Sequence, residues 1–376
     1  MPFCPLITNN IEINTEGVFK PCCISSKRFR VGDTIANASI NTISEVINDN
    51  DRANWINNFD QHFKTDCKQC YDVEKSGGES KRQIEIVSWA ENYTFESDTL
   101  QSLDLKMGNV CNLACAICGP HSSSKWGSIA KQQLGYNYIP PDRWHDTSQF
   151  WEELVLHVDS IQRIELAGGE PFMIKKQKIL IDFLIEHDIA KNVEITWFTN
   201  CTIWPDDLIS KFMHFKLVKI MLSIDNTDEK FEFQRYPAQW DQCYDIFKKF
   251  IDLRDQGLCQ VEISHSVSAI NILDLPEFHR WCHDNNVRVF NNLVVHPYNA
   301  KDLPEDFKNL VIEKFNSHTL VEPQINPVIG ENNWLINLMK EPGNTDILRE
   351  RLYKVMKTRS GLFEKAFPEL SGYLNG

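Results

Sequence analysis

The sequence has no long apolar run and no excess of basic residues, and both absences narrow its function. No stretch approaches the ~18 apolar residues that a membrane-spanning helix needs. Residues 1–10 show neither the basic start nor the apolar core of a signal peptide. The net charge of −13 argues against nucleic-acid binding, which would require a basic face. We therefore expect a cytoplasmic protein with no membrane partner and no nucleic-acid partner.

Internal repeats and low-complexity tracts are also lacking. The length of 376 residues and the hydrophobic fraction of 42% are ordinary for two or three globular domains, or for one large barrel with additions. The 12 cysteines are clustered, and none follows Cys282. In the cytosol such clusters indicate metal binding or catalysis more often than disulfides.

The loop from Cys111 to Cys118, with the sequence CNLACAIC, carries the strongest signal. Its three cysteines are Cys111, Cys115 and Cys118. Alternating apolar residues predict a strand just before the loop, and residues 121–124 are suited to cap a helix just after it. A four-iron cluster normally takes four cysteines, so three would leave one iron free. A zinc site is the alternative, although zinc usually takes paired cysteines and four ligands.

A second group of cysteines lies in the first 98 residues. Alternation on either side of an Asn14–Gly17 turn predicts a short hairpin that brings Cys4 close to Cys22. Helical spacing over Ser44–Phe63 then leads to another cysteine pair. The predicted site consists of Cys4, Cys22, Cys67 and Cys70, with Cys23 pointing elsewhere or replacing Cys22. A structural zinc ribbon is the alternative, and the polar segment Asp72–Arg82 is predicted to be a solvated bridge to the rest of the chain.

From about residue 99 to 300, predicted strands alternate with amphipathic helices, which indicates a parallel sheet covered by helices. The predicted strands are Leu103–Met107, Ile161–Leu166, Asn192–Phe198, Lys216–Ile224, Gln260–Val267 and Val287–Val295, and the helices are Lys176–Glu186, Pro205–His214, Gln239–Asp255 and Leu275–Asp284. Six strands are too few for an eight-stranded barrel and suit an open one. With a helical C-terminal extension, the predicted units are 1–98, 99–300 and 301–376.

Glycines and polar residues follow these strands at the ends where barrel enzymes carry their sites. Gly168 and Gly169 allow a backbone to approach a ligand closely. His265 is a candidate for proton transfer, although a histidine inside a strand is more often structural. Cys201 is a candidate hydrogen-atom or proton donor, or else a small core residue. The full set is Gly168, Gly169, Glu170, Pro171, Asn200, Cys201, Ser223, Asp225, Arg235, His265 and Asn271.

The CxxxCxxC loop, followed in order by Gly168–Pro171, Thr199–Asn200 and Ser223–Asn226, resembles the radical SAM family. The resemblance implies an α/β fold, a partial (β/α)6 TIM-like barrel. It also implies a 4Fe-4S cluster on Cys111, Cys115 and Cys118, whose free iron binds S-adenosylmethionine. Cofactor contacts are implied for Gly168, Gly169, Glu170, Pro171, Asn200, Ser223, Asp225, Arg235 and Asn271. The chain departs from the family pattern at Ile117, where an aromatic residue is frequent, and at Cys201, where glycine is frequent.

The N-terminal cysteines, with Gly17 ahead of Cys22, resemble the auxiliary-cluster module called SPASM or its short twitch form, here placed before the core. This implies a second 4Fe-4S cluster on Cys4, Cys22, Cys67 and Cys70. Four protein ligands leave no open iron, which favours electron transfer and therefore a net oxidation.

Together these resemblances imply a radical SAM enzyme that cleaves S-adenosylmethionine to a 5′-deoxyadenosyl radical, abstracts a hydrogen atom and oxidises a peptide or protein side chain. A reductant such as flavodoxin or ferredoxin would supply electrons. One alternative is dehydrogenation or rearrangement of a small metabolite such as a sugar, an alcohol or a nucleotide. The other is a metal-stabilised binding scaffold without catalysis.

Overall fold

The computed structural model of the protein describes residues 3–93, 99–141, 143–295, 297–317 and 334–374. The N-terminal region contains short elements, the longest of which has 12 residues. They are α1 Pro5–Asn9, β1 Asn10–Ile13, β2 Phe19–Lys20, β3 Arg30–Val31, β4 Thr34–Ile35, α2 Ile43–Asn48, α3 Asn50–Asn57, α4 Phe59–His62, α5 Lys68–Lys75 and α6 Lys81–Asn92.

The central region alternates strands and helices as the sequence predicts. Its elements are β5 Ser102–Lys106, α7 Ser124–Gln133, α8 Ser148–His157, β6 Arg163–Ala167, α9 Lys175–Glu186, β7 Glu194–Thr199, α10 Asp206–Ile209, β8 Leu217–Leu222, α11 Asp228–Gln234, α12 Trp240–Asp255, β9 Gln260–Val267, α13 Leu275–Asp284 and β10 Arg288–Leu293. The C-terminal region holds α14 Glu305–Ser317, α15 Trp334–Met339, α16 Thr345–Lys357, α17 Leu362–Ala366 and α18 Pro368–Leu374. The six predicted core strands and the helical C-terminal region are confirmed.

One eight-stranded sheet organises the molecule, in the order β10-β9-β8-β7-β6-β5-β1-β2. All neighbours from β10 to β1 pair in parallel, and only β1 and β2 are antiparallel. The carboxyl ends of the parallel strands therefore share one edge, which is where such folds carry their sites. The α/β class with a mostly parallel sheet is confirmed.

The predicted N-terminal hairpin is present, and it extends the central sheet. Asn10 to Ile13 pair in parallel with Ser102 to Leu105, and the hairpin turn is closed by the Gly17 amide, which donates to the Asn14 carbonyl over 2.9 Å. Strand β1 is buried along its whole length, so its side chains require neighbours on both faces. The sheet thus crosses residue 98, and the three-unit division remains a prediction.

Two predictions for the N-terminal region are wrong in detail. The helix over Ser44–Phe63 is broken into α2, α3 and α4, because Asp49 is extended and its carboxylate caps α3. The segment Asp72–Arg82 is largely helical: α5 ends at Lys75, and Ser80 begins α6 with a capping box. Ser80 is buried and donates to Glu74, which also binds Arg82, so this segment is a packed corner of the protein.

The apolar core falls into two clusters. The larger one lies around the sheet and its covering helices, and it includes β1 and the N-terminal helices. The smaller one joins α14–α18 to Ala114, Ala116 and Trp126, beside the cysteine loop. The C-terminal helices therefore pack directly against the segment that carries Cys111, Cys115 and Cys118.

Replacing Ile13 by alanine tests whether the hairpin is part of the central sheet. Ile13 is fully buried, so its truncation is expected to lower the free energy of unfolding by about 2–5 kcal/mol. Chemical denaturation followed by tryptophan fluorescence should show a single, earlier transition. Ile40→Ala, at a site 68% exposed, is the control and should change little. A separate early transition in Ile13→Ala, with the main one unmoved, would contradict the shared core.

Candidate active site

The three-cysteine loop is fixed by backbone hydrogen bonds at the carboxyl edge of the sheet. The Ala114 amide donates to the Tyr236 carbonyl over 2.6 Å, and the Ala116 amide donates to the Gln234 carbonyl over 2.7 Å. On its other side, the Trp126 indole donates to the Cys115 carbonyl over 2.7 Å. The loop is thereby held between the segment after α11 and the start of α7.

The structure surrounds the sulfurs of this loop with hydrogen-bond donors. Arg235 Nη1 lies 3.8 Å from Cys115 Sγ, and Asn200 Nδ2 lies 3.9 Å from Cys111 Sγ. The Cys118 thiol donates to Cys115, and this bond, assisted by the Arg235 charge, lowers the pKa of Cys115 to about 6. The same bond and burial raise the pKa of Cys118. Donors directed at sulfur stabilise the thiolates that hold iron–sulfur clusters.

In the described part of the chain, no three His, Cys, Asp or Glu side chains are grouped as the ligands of a single metal ion. Whether the site fits an iron–sulfur cluster therefore depends on two features. One is the set of three cysteines with their hydrogen-bond donors, and the other is the backbone turn that lies against them.

The Gly168–Gly169 turn lies against the segment that leads into Cys111. Both glycines have positive φ, +81° and +55°. A Cβ atom on Gly169 would stand 2.2 Å from the Val110 carbonyl oxygen, and the Glu170 amide donates to that same oxygen over 2.7 Å. Only glycine permits this approach, so the turn and the cysteine loop are assembled backbone to backbone.

The carboxylate of Glu170 joins this turn to the end of β7. It is fully buried and accepts hydrogen bonds from the Thr199 hydroxyl over 2.8 Å and from the Asn200 amide over 2.7 Å. It also accepts from the Phe172 amide over 3.1 Å. Burial outweighs these hydrogen bonds and raises the pKa of Glu170 to about 7. Glu170 thus shapes the turn, and Pro171 follows it as a buried residue.

Asn200 extends from the end of β7 toward the cysteine loop. Besides Cys111 Sγ, its amide nitrogen reaches Asn112 Oδ1 over 2.9 Å, and its oxygen accepts from the Thr202 amide over 3.0 Å. The side chain is therefore positioned by both segments. The predicted cofactor contact of Asn200 stays a prediction.

Cys201 points away from this site. Its thiol is fully buried, donates toward the Cys243 carbonyl on α12 over 3.6 Å, and has a pKa raised well above its ordinary value by burial. Its φ of +60° is in the left-handed region, which explains why glycine is frequent at this position of the family. The geometry favours the core role that the sequence also allowed, and no contact supports hydrogen donation.

Asp225 and Arg235 form a buried ion pair directly beside the loop. Arg235 Nη2 lies 2.7 Å from Asp225 Oδ2, and Asp225 Oδ1 accepts from the Ser266 amide over 2.8 Å. Arg235 Nε is buried and has no hydrogen-bond partner among the described residues. The half-buried Ser223 is held nearby, because its amide donates to the Thr199 carbonyl over 2.8 Å. Arg235 Nε is therefore a buried donor that the described residues leave unsatisfied.

His265 and Asn271 are both committed to protein contacts. His265 Nδ1 lies 2.9 Å from Asn291 Oδ1, and Nε2 lies 3.2 Å from Asn271 Nδ2. The oxygen of Asn271 accepts from the Ser268 amide over 2.8 Å. Burial lowers the pKa of His265 to about 4, so the ring is neutral at pH 7. Both predicted site roles stay predictions, and the contacts favour a structural role for this pair.

The structure brings the second cysteine group together. Cys4, Cys22, Cys67 and Cys70 line one small cavity with the apolar side chains of Leu6, Ile7 and Phe59. All four are free thiols, and burial raises the pKa values of Cys4 and Cys67 to about 12. Cys23 faces a different cavity. Four thiols around one apolar cavity fit a four-cysteine cluster.

A cavity of about 360 Å³ fills the space enclosed by β5–β10, with α5 and α6 along its side. Its wall carries charged residues of both signs: Glu79, Lys81, Glu85, Asp104, Lys106, Arg163, Glu165, Glu194, Lys219 and Glu262. Three residues, Ile24, Cys70 and Lys81, also line the four-cysteine cavity. The two cavities are therefore neighbours with a common wall.

Sequence reasoning missed these lining residues, although a signal was present. Strands of a parallel sheet buried on both faces are normally continuous apolar runs. Here charges alternate with apolar residues, as in Asp104 and Lys106 of β5 or Glu165 of β6. Such alternation indicates that the face of the sheet enclosed by the strands is polar and that the opposite face is apolar.

The fold thus places three free cysteines on one loop at the carboxyl edge of a mostly parallel α/β sheet. The family model of the radical SAM superfamily matches residues 105–263. Residues 105–263 are therefore a radical SAM domain, the class that uses a 4Fe-4S cluster and S-adenosylmethionine.

One relative with a curated name is the sporulation killing factor maturation protein SkfB of Bacillus subtilis (strain 168). It is 29% identical over 127 residues, which are 34% of this chain and 27% of SkfB. This chain thus spans about a quarter of that relative.

Solved structures with a similar fold include anSMEcpe with bound AdoMet, at a TM-score of 0.40 and 16% identity, covering 57% of each chain. Another is Streptococcus suis SuiB bound to S-adenosylmethionine, at a TM-score of 0.38 and 16% identity, covering 68% of this chain and 52% of SuiB. Within the described residues, no helix is long and apolar enough to cross a membrane.

Gly169→Ala tests the contact between the turn and the loop. The added Cβ would collide with the Val110 carbonyl, so the loop cluster should be lost and iron and sulfide retention after anaerobic reconstitution should fall to about half. Gly257→Ala is the matched control: its φ of +75° is also positive, but no atom lies within 4 Å of the added Cβ. The control should be less stable by about 1–2 kcal/mol and retain iron. Full iron retention in Gly169→Ala would contradict the proposed assembly.

The burial of neutral His265 predicts a pH-dependent stability. Its folded pKa of about 4 lies below the unfolded value of 6.5, so the unfolded state binds more protons between these values. Stability from this group is present above pH 6.5 and is lost as pH falls toward 4. Between pH 7.5 and 5.0 the wild type should lose about 2 kcal/mol more unfolding free energy than His265→Gln. An equal loss of unfolding free energy in the wild type and in His265→Gln would contradict this prediction. So would a His283→Gln variant, changed at an exposed site, that differs from the wild type by the same amount.

Proposed function

We propose that this protein is a radical SAM enzyme that oxidises a side chain of a peptide or protein. The observation that carries the proposal is the convergence of four segments at one sheet edge. The cysteine loop and the residue before it contact each of the other three: the Gly168–Glu170 turn, Asn200, and Arg235 of the Asp225–Arg235 pair. This edge closes the charged cavity, because Ala167 and Phe198 line it and directly precede Gly168 and Thr199.

Cys111, Cys115 and Cys118 would hold the 4Fe-4S cluster. The backbone of Gly168 and Gly169 would receive the ammonium of S-adenosylmethionine, and Arg235 would receive its carboxylate. Ser223 would contact the ribose, with Glu170, Pro171, Asn200, Asp225 and Asn271 around them. Bound there, the cluster and the cofactor would supply the radical chemistry that removes a hydrogen atom from the substrate.

The chain's own residues prepare the site for an anionic group. Asp225 holds the guanidinium of Arg235 in a fixed orientation, and the unsatisfied Nε keeps one donor free for a carboxylate. Glu170 fixes the turn through three hydrogen bonds, so the glycine backbone meets the ligand without reorganising.

The cavity next to this edge would receive the substrate. Its volume of about 360 Å³ suits one side chain or one small molecule. The relative SkfB is named as a maturation protein, which supports a peptide or protein substrate. The enclosed size equally suits a small metabolite, so dehydrogenation or rearrangement of a metabolite is the second candidate.

The four N-terminal cysteines would hold a second 4Fe-4S cluster that accepts an electron. Their cavity shares Cys70, Ile24 and Lys81 with the substrate cavity, which supports electron transfer over a short distance. Four protein ligands leave no iron free for substrate. A reductant such as flavodoxin or ferredoxin would supply the loop cluster.

Metal analysis tests the second cluster. Two four-iron clusters give about eight irons per chain, and a zinc ribbon would give about four irons and one zinc. Replacing Cys67 and Cys70 by alanine should remove half of the iron and leave cleavage of S-adenosylmethionine measurable. Replacing Cys259 and Cys282, two buried cysteines outside both groups, is the control and should leave the iron content unchanged. Zinc at one atom per chain would contradict the electron-transfer role.

Formation of 5′-deoxyadenosine tests the activity. The anaerobically reconstituted protein receives S-adenosylmethionine, a reductant, and source-cell extract divided into peptide and small-metabolite fractions. The variant with Cys111, Cys115 and Cys118 replaced by alanine is the blank. We expect stimulation at least severalfold above the blank by the peptide fraction, with loss of two hydrogens detectable by mass spectrometry. Stimulation by the metabolite fraction alone would transfer the assignment to the second candidate. No signal above the blank in either fraction would favour the non-catalytic scaffold.

A further inference from the structure

The C-terminal extension contacts the three-cysteine loop through two arginines. Arg351 lies on α16, and Arg359 follows that helix by two residues. Arg235 and Asn200 reach the sulfurs of the loop, whereas these two arginines bind its backbone. Their contacts are to backbone carbonyls at both ends of the Cys115–Cys118 segment.

Arg359 binds the loop and the neighbouring segment at once. Its guanidinium is 3% exposed and donates to the carbonyls of Ala114 and Phe233. Three aromatic rings surround it, with the guanidinium carbon 5.7 Å from Trp126, 5.3 Å from Phe233 and 5.0 Å from Tyr236. A planar guanidinium suits this environment, since it can donate two bonds in its plane while rings pack on its faces.

Arg351 binds the far end of the loop. Its Nη2 donates to the Cys118 carbonyl over 2.7 Å, and its guanidinium lies 5.8 Å from the Trp126 ring. Trp126 itself donates to the Cys115 carbonyl. Side chains thus bind the carbonyls of Ala114, Cys115 and Cys118. Two of these three side chains belong to the C-terminal extension.

We propose that Arg351 and Arg359 are positioning residues that orient the three-cysteine loop and raise the reduction potential of the cluster it holds. This rests on the proposed cluster role of Cys111, Cys115 and Cys118. By binding the carbonyls of Ala114 and Cys118, the two arginines fix the backbone that carries the Cys115 and Cys118 side chains. Two fixed positive charges near the cluster stabilise its reduced, more negative form, so their removal shifts the potential to more negative values.

Arg351→Gln and Arg359→Lys separate position from charge. The first removes a charge and one carbonyl contact at a half-buried site, and the second keeps the charge without the planar two-carbonyl contact. Arg349→Gln is the control, since Arg349 lies on the same helix, is 42% exposed and pairs only with Asp346 among the described residues. Thermal unfolding first establishes that each variant folds.

Hydrogen exchange of the segment 111–118 is the primary readout, because it requires neither iron nor activity. A hydrogen bond from a charged donor is strong enough that its loss should speed exchange about tenfold or more in both variants. An EPR-monitored redox titration is the second readout. It should show a more negative potential in Arg351→Gln and a nearly unchanged one in Arg359→Lys.

Exchange and potential equal to those of Arg349→Gln in both variants would overturn the proposal. If Arg359→Lys unfolds, Arg351→Gln alone decides by the same two measurements. If the wild type binds no iron, the proposed function fails by itself, and faster loop exchange in the variants would still establish the positioning contacts.

Discussion

The buried carboxylate of Glu170 is the interaction on which the site depends. It links the turn after β6 to the end of β7, while the amide of the same residue binds the segment before Cys111. Three separate stretches of chain thus meet at one residue. A buried carboxylate is costly unless its oxygens are hydrogen-bonded, and here three donors meet that requirement. The cysteine loop and the Gly168–Gly169 turn therefore form together.

Charged side chains connect other parts of the molecule to this site. Arg235 links Asp225 to Cys115, and the C-terminal arginines bind carbonyls of the same loop. Inside the sheet, charges of both signs line a cavity that shares a wall with the cavity of the four N-terminal cysteines. The N-terminal and C-terminal segments both contribute to one continuous structure around the radical SAM domain.

Much of this could be predicted because the signals are local. The six core strands follow from apolar alternation, and the order of loop, turn and strand ends identifies the candidate site. The parallel pairing of β1 with β5 could not be predicted, since it joins residues about ninety positions apart and leaves no local pattern. Helix α6 was missed because its start is polar, and the contact of its Arg82 with Glu74 of α5 appears only in three dimensions.

Side-chain direction was the other limit of the sequence. Cys201 and His265 both follow strand patterns that suit a site, yet one thiol faces α12 and the imidazole is held by two asparagines. In contrast, the convergence of Cys4, Cys22, Cys67 and Cys70 agrees with the structure, because the hairpin and the adjacent helix leave little freedom in their placement.

The central claim is that the loop Cys111–Cys118 holds a cluster with one iron open to S-adenosylmethionine. The most direct measurement is the EPR spectrum of the anaerobically reduced protein before and after S-adenosylmethionine is added, with Cys67 and Cys70 replaced so that only the loop cluster contributes. The account predicts a 4Fe-4S signal whose g values shift on addition of the cofactor. A signal that does not change, or that persists when Cys111, Cys115 and Cys118 are also replaced, would contradict it.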